Sequence, residues 1–350
     1  MSACSIAHPN VEYELQYIKY TRWRRRAANC STMGRMVLVP LEQESLARHT
    51  VFKIGGPARF LVSVSSRDGF VEALRFARAE HLSWVILGAG SNVLVSDRGF
   101  PGLVIHPEGG AIVYDGPEVR ADAGVSMARL VADTLEHGLR GFEWAIGIPG
   151  SVGGSVRGNA GCFGGEMRDV VRSVGVYNVA TDAIETWRGL DATFSYRTSI
   201  FKERSELVVL DATIALVPGD AAEGRGLVKG FVARRSWGQD IGVPSAGCAF
   251  KNIPWNRRGV DKDAFCKRFP DVPASGTVDG VPVGYLIDQV GLRGYRVGGA
   301  KISERHGNFI VNTGNATAED VIMLIGIAKE RVHRTYGIML EEEIQYVGFE

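Results

Sequence analysis

The stretch Ile146-Gly147-Ile148-Pro149-Gly150-Ser151-Val152-Gly153-Gly154-Ser155-Val156-Arg157-Gly158-Asn159-Ala160-Gly161 constrains this chain more than any other. Its glycines strip away side chains, so bare backbone N–H groups can face a ligand and positive φ becomes cheap. Successive N–H groups in such a loop form a concavity suited to phosphates. Pro149 stiffens one bend, and Asn159 can bond a ligand or its own backbone. The competing explanation is a packed turn where two backbones cross closely.

A second loop favours a ligand. Trp84-Val85-Ile86-Leu87 runs into Gly88-Ala89-Gly90-Ser91-Asn92 and then Val93-Leu94-Val95. A Rossmann fingerprint needs a helix after its glycines, and here β-favouring residues follow instead. The pattern is a strand–loop–strand cradle. Two such cradles suit a long ligand with a diphosphate, such as a dinucleotide.

The rest of the composition narrows the class. A chain of 350 residues that is 45% hydrophobic has room for several domains with true cores. A net charge of +1 offers no field for nucleic acid or an anionic membrane. No run approaches the roughly 20 apolar residues of a membrane helix. Five cysteines without Cys-x-x-Cys spacing argue against a disulfide framework or a zinc site, and seven histidines show no ligand spacing, so no metal is expected. The expected compartment is the reducing cytoplasm.

Residues 1–40, with the basic cluster Arg22-Trp23-Arg24-Arg25-Arg26, read as a disordered tail or a mis-assigned start. A first unit, about 41–105, is expected to run β-α-β-β, with a strand at Arg59–Val64, a helix capped by Asp68 and the cradle at one edge. A second unit, 106–218, has a hairpin turning at Asp115-Gly116, a helix starting at Ser126 and ended by Gly138, strands at 170–178 and 184–187, and an apolar run at 207–216. Residues 219–350 form a third unit. It has a helical stripe at Leu227, Val228, Phe231 and Val232, a loop at 244–252, an irregular polar surface at 253–280 and a short helix opened by Pro282. A strand at Phe309–Asn312, a helix capped by Thr317 and Asp320, and a strand over 343–347 complete it.

Several short motifs occur in a telling order: Gly-Ala-Gly-Ser-Asn (88–92), Ile-Pro-Gly-Ser-Val-Gly-Gly (148–154), Asn-Ala-Gly (159–161), Tyr-Arg-Thr-Ser (196–199), Pro-Ser-Ala-Gly-Cys-Ala-Phe-Lys-Asn (244–252) and a terminal Glu-Ile. From about residue 45 onward the chain resembles the UDP-N-acetylenolpyruvoylglucosamine reductases, in particular their second, shorter type. The resemblance implies an α+β fold: a two-part FAD-binding domain of the PCMH/vanillyl-alcohol-oxidase type, 41–218, followed by an α+β substrate-binding domain. It implies non-covalent FAD, NADPH as co-substrate, and reduction of an enolpyruvyl group to give UDP-N-acetylmuramate for peptidoglycan. A cytoplasmic monomer is expected, with a UDP-sugar as its small-molecule substrate and neither nucleic acid nor membrane as a partner.

The resemblance also assigns residues. Gly88, Ala89, Gly90, Ser91, Asn92, Gly150, Ser151, Gly153, Gly154, Asn159 and Gly161 are expected to hold the cofactor. Arg197 matches the catalytic arginine, whose permanent charge can fork onto a carboxylate or a forming enolate. Glu343, one of three successive glutamates, matches the catalytic glutamate. Cys248 stands where the family usually has a proton-donating serine. A thiol can serve, being protonated at neutral pH yet far more acidic than an alcohol, although Arg197 beside it pulls towards partial ionisation at a cost in donor capacity. Glu343, water and Ser245 remain rival donors. Arg235, Lys251, Asn252 and Gln289 fall at substrate-binding positions. Gly238 and Asp240 replace a frequent lysine and proline, so the diphosphate grip departs from the pattern. His49 and His106 raise a covalent flavin link that nothing specific in the sequence supports, and Tyr196 is expected to pack. Another FAD oxidase or dehydrogenase on the same scaffold, or a non-catalytic flavin-binding protein, are the alternatives.

Overall fold

The computed structural model describes residues 38–238, 240, 242–257, 260–270 and 280–349. The basic cluster at 22–26 lies outside the described residues.

The first unit is built from β1 (Leu41–Ser45), β2 (Pro57–Val64), α1 (Arg67–Ala79), β3 (Trp84–Ile86), β4 (Val93–Val95) and β5 (Phe100–Pro107). Its sheet runs β1-β2-β5-β3, with β5 parallel to both β2 and β3. The expected strand order omitted β5. Its Leu103-Val104-Ile105 run is buried throughout, as a parallel strand covered on both faces is, so it shows no alternation. Ser66, not Asp68, caps α1: its Oγ accepts from Gly69 N at 3.2 Å, and Asp68 sits in the first turn.

The second unit holds β6 (Ile112–Asp115), β7 (Glu118–Asp122), α2 (Met127–Glu136), α3 (Val152–Arg157), β8 (Val171–Asn178), β9 (Ala183–Arg188), α4 (Ile200–Glu203) and β10 (Leu207–Ala215). An antiparallel sheet orders them β9-β8-β10-β7-β6. Gly116 turns the hairpin at φ 56°, and Gly138 ends α2 at φ 69°. Tyr177, Val208 and Leu210 of this sheet share a core with Phe70 and Leu74 of α1, which locks the two units together.

α5 (Ala221–Gly238) follows and packs against the second unit, and the remaining elements are β11 (Ser245–Cys248), α6 (Lys262–Arg268), α7 (Val283–Gln289), β12 (Arg296–Val297), β13 (Ala300–Ile302), β14 (Phe309–Asn312), α8 (Ala318–Tyr336) and β15 (Gln345–Val347), here called the third unit. Its sheet runs β11-β14-β13-β12. Three expectations are corrected here. The segment expected as a loop at 244–252 contains β11, because Ser245 and Cys248 pair with Val311 and Phe309 across a bulge. The expected surface at 253–280 contains α6 and the buried Ile253 and Phe265. The apolar stripe of α5 is only half used: Val228 and Phe231 pack on the second core, while Leu227 and Val232 are exposed.

The capping box of α8 forms as its sequence implies, and Asp97 adds a second cap by accepting from Ala318 N at 2.9 Å. β15 does not join the third sheet. It pairs in parallel with β4, returning the chain to the edge of the first glycine loop. Phe52, Ile54 and Leu94 likewise lie in the third unit's core. No helix among the described residues is long and apolar enough to cross a membrane.

Candidate active site

The two glycine loops face each other. A Cβ on Gly88 would stand 2.6 Å from Ser151 Oγ, and one on Gly150 would stand 3.4 Å from Ser155 Oγ and 3.8 Å from Ser91 Oγ. Ser155 Oγ is buried and has no hydrogen-bond partner among the described residues. A buried hydroxyl left unmatched costs free energy unless a ligand completes it. Beside the loops opens a cleft of about 500 Å³, lined by His49, Val51, Ala89, His106, Val243 and Pro244 among others. The two histidine rings meet edge to face at 5.3 Å.

Other glycines of the long stretch serve packing, so both explanations of it hold, for different residues. A Cβ on Gly153 would come within 2.8 Å of Ala123 Cβ, where Gly153 N donates to Ala123 O at 2.9 Å. One on Gly161 would meet Glu166 Cβ at 2.7 Å. Asn159, expected at the cofactor, is fully buried and bonded within the protein. Its Nδ2 donates to Glu166 Oε2 at 2.7 Å and to Ser195 O at 2.9 Å, and its Oδ1 accepts from Arg168 N at 3.0 Å. Asn159 therefore fastens the glycine stretch to the turn that carries Arg197.

That turn is closed by reciprocal Ser195–Thr198 backbone bonds of 3.0 and 3.2 Å. It holds Arg197 at φ 56°, in the left-handed region. Such a conformation is costly for a side-chain-bearing residue and persists only where its surroundings enforce it. Arg197 Nε reaches Glu343 Oε1 at 2.9 Å, and its Nη2 donates to Gly161 O at 3.1 Å. Tyr196, expected to pack, is 42% exposed, with the Arg197 guanidinium over its ring at 5.2 Å.

The three successive glutamates part company. Glu341 pairs with Lys251, Glu342 with Lys329 and Glu343 with Arg197. They precede β15, so strand alternation does not sort them; their cations do. Burial raises the Glu343 pKa, against the pull of Arg197, Lys202 and Lys251. Burial also works against the charge on Arg197, but Glu343, Tyr196 and Cys248 outweigh it and keep the guanidinium protonated.

Cys248 ends β11 within the field of Glu343, Arg197 and Arg235. Its thiol pKa is pushed up to about 12, by burial first and by Glu343 next, which together overcome the two arginines. The pull of Arg197 towards ionisation is thus outweighed: the thiol stays protonated and keeps its donor capacity. Ser245, the rival donor, begins the same strand.

The expected substrate residues are not equally close. Arg235 reaches over from α5, where a Cβ on Gly147 would lie 2.1 Å from its Nη1. Lys251 is engaged with Glu341. Asn252 Oδ1 accepts from Val283 N at 3.1 Å, at the start of α7. Gln289 lies exposed in the last turn of α7. Two cations escaped the sequence reading. Lys202 Nζ donates to Arg197 O at 3.2 Å, and Arg157, at the end of α3, lies 3.5 Å from Gln345 Oε1. Burial lowers both their pKa values, and repulsion from Lys251 and then from Arg157 lowers that of Lys202 further. Ser155 was missed as well, although it is a serine amid glycines.

Residues 58–186 match the FAD binding domain family, and residues 239–347 match the C-terminal domain of UDP-N-acetylenolpyruvoylglucosamine reductase. The reductase of that name from Caldanaerobacter subterraneus subsp. tengcongensis is 38% identical over 306 residues, covering 87% of this chain and 92% of the relative. The one from Caldicellulosiruptor bescii is 38% identical over 311 residues, covering 88% and 90%. This chain belongs to the UDP-N-acetylenolpyruvoylglucosamine reductase family. The crystal structure of the family's member from Thermus caldophilus superposes with a TM-score of 0.68 at 32% identity, covering 89% of this chain and 100% of that one.

The reductase family's FAD fits the residues present. The unmatched Ser155 hydroxyl and the Ser91 hydroxyl flank the bare backbone at Gly150, where the two loops meet. These groups suit a diphosphate, and the adjoining cleft leaves room for the rest of a dinucleotide.

Proposed function

We infer that this chain is the FAD-dependent reductase that converts UDP-N-acetylenolpyruvoylglucosamine to UDP-N-acetylmuramate, with NADPH as the electron source, as a monomer in the cytoplasm. The observation that carries this is the convergence of a fixed guanidinium, a half-buried carboxylate and a protonated thiol beside the glycine loops. When bound, FAD would supply the hydride chemistry that links NADPH to C3 of the enolpyruvyl group. Negative charge then gathers at C2 and on the attached carboxylate. Arg197, charged at any working pH, stabilises that charge from a conformation already set before substrate arrives. Cys248 gives its proton to C2. Glu343 sets the field of both partners and holds Arg197 in place. Ser91, Ser155 and the amides of residues 88–90 and of Ser151 would hold the cofactor.

The deciding assay is NADPH oxidation by the purified, FAD-loaded protein. It should begin on adding UDP-N-acetylenolpyruvoylglucosamine and yield UDP-N-acetylmuramate. NADPH oxidation that needs no such substrate, with matching oxygen consumption, would make the chain an oxidase instead. A protein that stays colourless with added FAD would refute the proposal altogether.

A further inference from the structure

Asn92 closes the first glycine loop, and its motif suggests a cofactor ligand. Its amide is used otherwise. Nδ2 donates to the main-chain carbonyl of Glu343 at 3.1 Å, across a sequence separation of 251. Asn92 O accepts from Gln345 N at 3.0 Å. Gln345 Nε2 donates to the same Glu343 carbonyl at 3.1 Å. On its other side, Glu343 N donates to Ala249 O at 2.8 Å, next to Cys248. The main chain of Glu343 is therefore gripped between the loop at 88–92 and the strand that carries the thiol, while its carboxylate is held by Arg197.

We propose that Asn92 is a positioning residue for the reductase reaction, fastening Glu343, and through it Arg197, to the first glycine loop. Three facts favour this over a purely cofactor-binding role. An amide N–H has the right polarity for a carbonyl, so the bond fixes which way the Asn92 side chain points. The bond joins distant stretches, so it cannot follow from local turn geometry. The carbonyl it holds also belongs to the residue whose carboxylate orients Arg197, where a small displacement is costly because geometry supplies much of the rate. The loop and the carboxylate then move as one body, and a cofactor seated in the loop is automatically in register with the proton-handling groups.

The inference rests on the function proposed above, and the experiment separates the two. Wild type, Asn92→Asp and Asn92→Ala are prepared as FAD-loaded enzyme, with Gln345→Met as a second route to weakening the same carbonyl's grip. Asn92→Asp keeps the shape but replaces a donor with an acceptor. Reduction by NADPH and reoxidation by the enolpyruvyl substrate are followed separately in stopped flow. Flavin release on dilution is read by fluorescence. The reoxidation rate is expected to fall about tenfold or more in Asn92→Asp, with kcat and kcat/KM falling together. Flavin affinity should stay within about threefold and the NADPH half-reaction should persist. The acid limb of the reoxidation profile should also move, since Glu343 is faced by Arg197, Lys202, Lys251 and Cys248, and its distance from them would change. Gln345→Met should show the same pattern more weakly.

Weakened flavin binding with normal reoxidation of the saturated enzyme would make Asn92 a cofactor ligand and overturn the inference. So would equal losses in every step, tracking a loss of folded protein, or no change in either variant. Failure of the wild type itself to be reduced by NADPH would strike the proposed function instead.

Discussion

Removing the Cys248 thiol tests the proton-transfer step most directly. Its pKa stands at about 12 against an ordinary 9.0, so its thiolate population near neutrality is about a thousandfold smaller than that of an ordinary thiol. Two consequences follow. Since the thiolate is the nucleophile, iodoacetamide should label Cys248 in the folded, FAD-loaded protein about a thousandfold more slowly than an ordinary thiol, and at the usual rate once the chain is unfolded. The donor form is lost only as pH rises through about 12, so Cys248 should contribute no basic limb to reoxidation over the range in which the protein stays folded. In Cys248→Ala, NADPH should still reduce the flavin while reoxidation by substrate slows by about 10²–10⁴, the usual contribution of a positioned general acid. Cys248→Ser should fall between, because a hydroxyl keeps the donor geometry but is a far weaker acid. Rapid labelling with a midpoint near 9 would refute the desolvation argument. Unchanged reoxidation in Cys248→Ala would refute the donor role and leave Glu343, Ser245 or water as the source.

Arg197→Lys should lower kcat by on the order of 10² while NADPH reduction survives, because a point charge cannot span both Glu343 and the Gly161 carbonyl; rapid-mix kinetics would show it. The Glu343 pKa is raised, so the ionised form is lost as pH falls through a midpoint above the ordinary 4.5, and a pH profile should place an acid limb there that vanishes in Glu343→Gln. Gly153→Ala should cost about 1–3 kcal/mol in denaturant unfolding, since its Cβ would press on Ala123. Gly230→Ala, on the exposed side of α5 with nothing near its Cβ, should gain about 0.5–1 kcal/mol.

Local chemistry was legible in the sequence wherever it acts within a few residues. Thr317 with Asp320, Ser126 with Gly138, and the Asp115-Gly116 turn all form where their side chains dictate. Signals that depend on distant partners were silent. Nothing at Phe100–Pro107 reveals the middle of a parallel sheet, and nothing in 345–347 points to β4. At the site, motif order singled out Arg197, Cys248 and Glu343, and the structure brings the three into one electrostatic neighbourhood. It could not sort the glycines, because a bare backbone serves a ligand and a crossing chain equally well; only the neighbours of Gly150 and Gly153 tell them apart. How strongly the Cys248 thiol is held protonated is hidden for a similar reason. Arg197 is visible in the sequence, but the burial that outweighs it belongs to the assembled molecule.

The pairing of β4 with β15 has a bearing on biosynthesis. During translation the strand at 93–95 leaves the ribosome long before its partner at 345–347 is made, so one flank of the loop at 88–92 stays unsupported until the closing stretch emerges. The coenzyme pocket is then among the last parts to mature, and a stalled or clipped nascent polypeptide would hold flavin poorly even with both glycine loops intact.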